Sequence, residues 1–198
     1  MIAGARFGAV IVNYRCAPLA LDAALSFLGD GGARAIIVDN ASDDGSAELI
    51  EAAIAGRTPH APAPPPDPIE GRAVRFADLS RLSPGRLVVM RAKTNGGFAA
   101  GSNIGLRALA AAGGVDRLLL LNPDALLAEG ALAAFAARLN EDSAGLCGAS
   151  VVAFDAPHAA QAFGGATFDR LLLTGRNIGE GETLAEMPDR RSVEARLD

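Results

Sequence analysis

Short apolar runs in this 198-residue chain end on polar clusters of a kind that handles phosphates and sugars. Val10-Ile11-Val12 runs into Asn13-Tyr14, Ile36-Ile37-Val38 into Asp39-Asn40, and Leu118-Leu119-Leu120-Leu121 into Asn122-Pro123-Asp124. In open α/β sheets the carboxyl ends of the strands share one edge, where ligands bind. A carboxylate facing a ribose can accept hydrogen bonds from both hydroxyls. A second carboxylate beside a diphosphate can hold a hard divalent cation that offsets phosphate charge. Asp39 and Asp124 suit that division, and the pair points to a nucleotide diphosphate. Each has a plainer alternative: Asp39 as a turn or helix cap, Asp124 as a cap on a helix near Ala128.

Asn95-Gly96-Gly97-Phe98-Ala99-Ala100-Gly101-Ser102-Asn103 is the second signal. Its glycines, Gly97 and Gly101 among them, allow close backbone approach or positive φ. Asn95, Ser102 and Asn103 supply amide and hydroxyl partners, while Phe98 is expected to pack the turn against the sheet. A helix begins here, and its free N–H groups favour anions. The alternative is a glycine-rich turn with an N-cap. His60 and His158 read as surface residues, Cys16 as an inert thiol, and Arg72 and Arg75 as a solvated face. No Gly-x-Gly-x-x-Gly follows the first strand and no Gly-Lys-Ser/Thr loop exists, which counts against dinucleotide oxidoreductases and P-loop NTPases.

The elements that must position these residues alternate. Gly8 to Val12 reads as a strand, followed by a helix with Pro18 in its first turn and Leu21, Leu25 and Leu28 on one face. Gly29-Asp30-Gly31-Gly32 closes it, and Ala35 to Val38 forms the second strand. A second helix carries Leu49, Ile50, Ala53 and Ile54 inward. This β-α-β-α order predicts a mostly parallel sheet flanked by helices. Residues 56–71, rich in proline, read as a stiff surface insertion. Arg86 to Met90 is the third strand, and a helix through Ile104, Ala108 and Ala111 ends at Gly113-Gly114. The four-leucine strand follows, expected to be buried on both faces, and then a helix carrying Leu132, Phe135 and Leu139. Leu146 to Phe154 suggests another strand. Ala162 to Phe168 and Leu171 to Thr174 suggest short strands in an irregular C-terminal segment, with no element expected beyond Gly179.

Length favours one domain. A net charge of −5 with no basic stripe argues against a nucleic-acid surface. No apolar run reaches the ~20 residues that span a bilayer, and Met1 to Phe7 lacks a signal-peptide core. The two cysteines, Cys16 and Cys147, show no metal spacing, so a reducing cytoplasm is expected.

Val10 to Tyr14, Ile37-Val38-Asp39-Asn40-Ala41-Ser42-Asp43-Asp44-Gly45-Ser46, Asn95 to Asn103 and Leu119 to Asp124 together resemble family 2 glycosyltransferases of the GT-A fold, especially the bacterial rhamnosyltransferase-like branch. The resemblance covers roughly residues 8–125. It implies a GT-A (Rossmann-like) domain over 1–198 that transfers a hexosyl group, rhamnosyl in that branch, with inversion. The donor would be a dTDP-, UDP- or GDP-linked sugar and the acceptor a glycan or lipid-linked species. By that resemblance Asn13, Tyr14, Asp39 and Asn40 meet base and ribose, and Asn95, Gly97, Phe98, Gly101 and Asn103 shape the sugar-nucleotide pocket. Asn122 and Asp124 stand where the family has its Asp-x-Asp motif, with Asp124 holding Mg²⁺ or Mn²⁺. The family's acidic segment supplying the general base is not matched, so the chain is expected to be truncated and to carry the donor-binding half. Peripheral association with the cytoplasmic face of the inner membrane, through partners, is a further expectation. A nucleotide-binding module without catalysis is the alternative; a nucleotidyltransferase fits less well, because no glycine-rich basic loop follows the first strand.

Overall fold

Phe7–Asn13 (β1) and Arg34–Asp39 (β2) are nearly unbroken apolar stretches, and in the computed structural model they form the buried centre of a four-stranded parallel sheet. The structure describes residues 5–141 and 144–196; the readings of Met1 to Gly4 and of Leu197-Asp198 lie outside them. The chain divides into two compact units, one taking in Met1–Pro65 and Arg72–Ala136, the other Pro66–Gly71 and Ala137–Asp198.

In the first unit the sheet order is β3-β2-β1-β4, with β3 at Leu87–Arg91 and β4 at Arg117–Leu121. The chain steps outward through α1 (Ala17–Gly29) and α2 (Ser46–Ile54), then crosses back through α3 (Gly97–Ala112) to β4. The strand order therefore reverses between β1 and β4. Residues paired across parallel strands point to one face. Val10, Ile36 and Val38 meet Leu109 of α3 on one side of the sheet, and α1 contacts β1 and β2. This is an α/β unit of Rossmann-like type.

Two expectations need correction here. β4 is an edge strand, and its leucines alternate in exposure rather than being buried on both faces: Leu118 and Leu120 are each 48% exposed. The helices that cover the sheet, α1 and α3, pack chiefly on β1 and β2, so one face of the edge strand stays uncovered, whatever its residue types. In α2 the inner face is Ala47, Ile50 and Ala53, while Leu49 is exposed.

α3 begins at Gly97, so Phe98, Gly101, Ser102 and Asn103 lie within the helix rather than in a loop. Gly101 and Gly105 face β1 so closely that an added Cβ would stand 2.8 Å from Val12 Cγ1 and 2.4 Å from Val10 Cγ1, respectively. These glycines bring helix and strand together. Phe98 is half exposed and does not pack the turn.

The proline stretch is irregular, and it is tied down by a contact the sequence reading missed. His60 Nε2 lies 2.6 Å from Asp22 Oδ1, and the Ala63 amide donates to Asp22 Oδ2 at 3.1 Å. Both side chains are largely buried, so His60 is an anchor onto α1 rather than a surface histidine.

In the second unit, β5 (Ser150–Val152) pairs with β6 (Ala160–Phe163), and β7 (Ala166–Asp169) pairs with β8 (Thr174–Asn177), both antiparallel. The strand predicted over Leu146 to Phe154 is thus only three residues long. Leu171-Leu172-Leu173 form the turn of the β7–β8 hairpin, not a strand. Ala160, Phe163 and Ile178 make a small core with Leu184 and Val193, the latter on α5 (Arg190–Glu194), an element not foreseen beyond Gly179. α4 (Ala131–Leu139) follows the segment after β4, and the first unit ends within it, at Ala136.

Candidate functional site

The carboxyl edge of the parallel sheet gathers most of the polar residues singled out in the sequence. Asn13 at the end of β1 and Asp39 at the end of β2 are paired in register, and both are buried. Asn13 Nδ2 donates to Asp39 Oδ1 at 2.7 Å, while the Ser42 amide donates to Asp39 Oδ2 at 3.0 Å. Asn13 Oδ1 accepts from the Cys16 amide at 3.2 Å. Asp39 therefore holds its own turn, as the capping alternative anticipates, and both of its oxygens are engaged by the fold. A buried carboxylate needs such donors, because unpaired burial of charge is costly.

Beyond each strand the chain turns sharply. Arg15 (φ 58°) and Ala41 (φ 59°) both adopt the left-handed conformation, uncommon outside glycine. Such strain persists only where surroundings over-determine it, and it clusters at ligand sites. Ser42 Oγ accepts from the Arg15 amide at 3.0 Å, which locks the two turns together. The Arg15 guanidinium forks onto Asp43 with two contacts of 2.7 Å and lies 5.0 Å from the Tyr14 ring centroid. Hydrogen bonding to Asp43 raises the Arg15 pKa above its ordinary value. Bonding to Ser46 holds the Asp44 carboxyl below the usual range.

A second cluster joins Asn40 to the start of α3. Asn40 Nδ2 donates to Asn95 Oδ1 at 2.7 Å and approaches Gly97 O at 3.3 Å, and Asn95 Oδ1 also accepts from the Gly97 amide at 2.9 Å. Two acceptors face the Asn40 amide nitrogen, which fixes its orientation. Among the described residues, Asn40 Oδ1 is then left buried with no partner, as is Ser102 Oγ. Orphaned buried polar atoms are rare in folded proteins, so each asks for an explanation.

Asn122 and Asp124 leave the sheet beside this edge: pairing of β1 with β4 ends at Ile11 and Leu121, one residue before Val12 and Asn122. The segment that follows is anchored to α1. The Leu127 amide donates to Ser26 Oγ at 3.1 Å, and Asp30 accepts from the Gly130 and Leu132 amides at 2.6 and 2.7 Å. Asp30 thus caps the start of α4 from a distance, and Asp124 does not serve as that cap. Asp124 is exposed, with no hydrogen-bond or ion-pair partner among the described residues.

As a cation ligand Asp124 offers a single free carboxylate. Among the described residues, no cluster of three or more His, Cys, Asp or Glu side chains could hold a metal unaided. Mg²⁺ is commonly held by one or two carboxylates plus substrate phosphates, and of that donor set the chain itself supplies one exposed carboxylate, Asp124. Asn103 lies exposed on α3, and nothing ties it to Asn13, Asp39 or Asn95. Gly101 is committed to packing on Val12, which argues against the close ligand approach expected of it.

Sequence reasoning missed the Asn13–Asp39 bond, Ser42 as the tie between turns, and Asp30. The Ser42 and Asp30 signals were present as cap-forming residues beside helices, but the partner in each case lies far along the chain. No family model, curated protein or solved structure matches the chain. No described helix is long and apolar enough to cross a membrane.

Proposed function

We propose that the carboxyl edge of the parallel sheet binds a nucleotide-diphospho-sugar, in a unit of GT-A type whose activity is inverting transfer of a hexosyl group to a glycan or lipid-linked acceptor. The observation that carries this reading is the strand-order reversal between β1 and β4, where Asn13, Asp39 and Asn40 lie on one side and an unengaged carboxylate, Asp124, on the other. Such reversals are where open α/β sheets take nucleotides.

Within it the residues divide by role. Asn13, Asp39 and Ser42 fix the two turns as a rigid floor. Tyr14, half exposed beside the Arg15 guanidinium, offers a ring on which a base can stack. Asn40, Asn95 and Gly97 hold the start of α3 against the edge. Asp124 would hold Mg²⁺ or Mn²⁺, which neutralises charge on the departing diphosphate when bound. The rhamnosyl specificity and the identity of the base rest on the sequence resemblance alone, and no residue is assigned as general base.

The test is a thermal-shift panel of UDP-, dTDP- and GDP-sugars with and without Mn²⁺. A ligand at one hundred times its Kd stabilises by about 2.7 kcal/mol, which raises Tm by roughly 5–10 °C in a unit of this size. One base is expected to stand out, with a Mn²⁺-dependent increment that Asp124→Asn removes. Stabilisation that ignores both metal and Asp124→Asn supports a nucleotide-binding module without transfer. No shift with any donor overturns the site.

A further inference from the structure

The β7–β8 hairpin of the second unit ends in a feature that nucleotide chemistry does not use. Its turn carries Leu171, Leu172 and Leu173, exposed by 95%, 73% and 75%, and Phe168 on β7 is 61% exposed. Every residue of both strands is solvent-exposed. Three successive leucines at a convex tip splay outward, so they cannot line one face of a pairing strand.

Arginines stand at both shoulders: Arg170 adjoins the leucines, and Arg176 lies across the hairpin from Thr167, two rungs below Asp169–Thr174. Asp169 Oδ1 accepts from the Leu171 amide at 2.8 Å and the Leu172 amide at 3.0 Å. Those two backbone donors are therefore satisfied within the tip. Unsatisfied backbone groups add to the cost of removing a turn from water, and these two do not. The Asp169 carboxyl, held below the usual range by the same two bonds, stays with the arginines at the polar level. Leu173 holds φ 52°, a conformation in which glycine would be the unstrained choice.

We propose that this tip is a membrane-docking point: Leu171, Leu172 and Leu173 enter the acyl boundary of an anionic bilayer while Arg170 and Arg176 remain at the level of the lipid phosphates. Side chains splayed from a convex turn suit a deformable medium better than a preformed protein pocket. Long arginine stems reach the phosphates while their neighbours go deeper. Two copies meeting tip to tip would bury only a few side chains each, short of the roughly 1,200 Å² of a specific interface. The proposal stands on the second unit and is independent of the donor site.

The chain contains no tryptophan, so Leu172→Trp places a unique fluorophore at the tip of the full chain. With vesicles of phosphatidylcholine and phosphatidylglycerol, its emission is expected to shift to the blue and to be quenched by brominated acyl chains. In co-sedimentation, Leu171→Ser/Leu172→Ser/Leu173→Ser should weaken vesicle binding at least about ten-fold. Arg170→Gln and Arg176→Gln should each weaken it about five-fold. The altered leucines are exposed, so circular dichroism should be unchanged; if the triple variant misfolds, the tryptophan spectra decide alone. Unchanged emission with every vesicle, or equal sedimentation of parent and triple variant, overturns the proposal. So does concentration-dependent dimerisation that the triple variant abolishes when no vesicle binding occurs.

Discussion

Gly105→Ala puts a single methyl group where α3 meets β1, and its effect can be worked from the geometry. The new Cβ would lie 2.4 Å from Val10 Cγ1 and 2.8 Å from Val10 Cγ2. Carbon atoms in contact prefer ~3.5–4.0 Å, so helix and strand must part by about 1 Å. Val10 cannot yield easily, since it is 1% exposed in a central strand and β-branched residues are stiff at χ1. Overpacking of this kind costs about 1–3 kcal/mol. Alanine regains about 0.8–1 kcal/mol of helix propensity over glycine, which leaves a net loss of about 1–2 kcal/mol. In a Val10→Ala background both clashing methyl groups are gone. Gly105→Ala should there be neutral or stabilising by up to ~1 kcal/mol, a coupling of about 2 kcal/mol. The readout is urea unfolding followed by fluorescence of Tyr14, the only tyrosine in a chain without tryptophan, which reports on the first unit specifically. Equal or greater stability of Gly105→Ala in the parent background, or strict additivity with Val10→Ala, would refute the close-packing argument. The same variant should weaken any ligand that depends on Asn95 and Gly97, because lifting α3 draws its first turn away from Asn40.

Asn13→Ala removes a donor from buried Asp39 and the acceptor for the Cys16 amide, with a cost of about 2–3 kcal/mol in the same urea assay; a loss below about 1 kcal/mol would mean that water replaces the amide. Acid should loosen the α2–β3 tie, because Arg91 bonds Glu51 and Glu48 at 2.7–2.8 Å and holds both carboxyls below their ordinary value of 4.5. A carboxyl with a depressed folded-state pKa contributes stability above its unfolded value and loses it as pH falls through the folded one. The urea midpoint should therefore decline below about pH 4.5, and less steeply in Arg91→Gln, with identical pH profiles counting against the ion pairs.

The sequence alone was enough to find the elements of the parallel sheet. β1 and β2 appear within a residue of the expected runs, and α1 carries Leu21, Leu25 and Leu28 inward with Pro18 in its first turn. These signals are local, since periods of two and near four residues follow from backbone geometry. The polar residues at the strand ends were legible for the same reason. What each of them touches was not. Asp39 was visible as an acid at a strand end, but its commitment to Asn13 and Ser42 depends on β1 and β2 lying side by side. Gly101 read as a loop glycine and is a packing glycine, because the residue it meets is Val12 on another element. His60 found Asp22 across 38 residues. Four leucines predicted a strand buried on both faces, yet β4 falls at the sheet edge, and composition carries no information about strand order. Leu171 to Leu173 likewise looked like a strand, until pairing of Asp169 with Thr174 placed them in the turn. Local propensity selects the elements; which faces are covered, and which acids are free to meet a ligand, is decided by contacts between residues far apart in the chain.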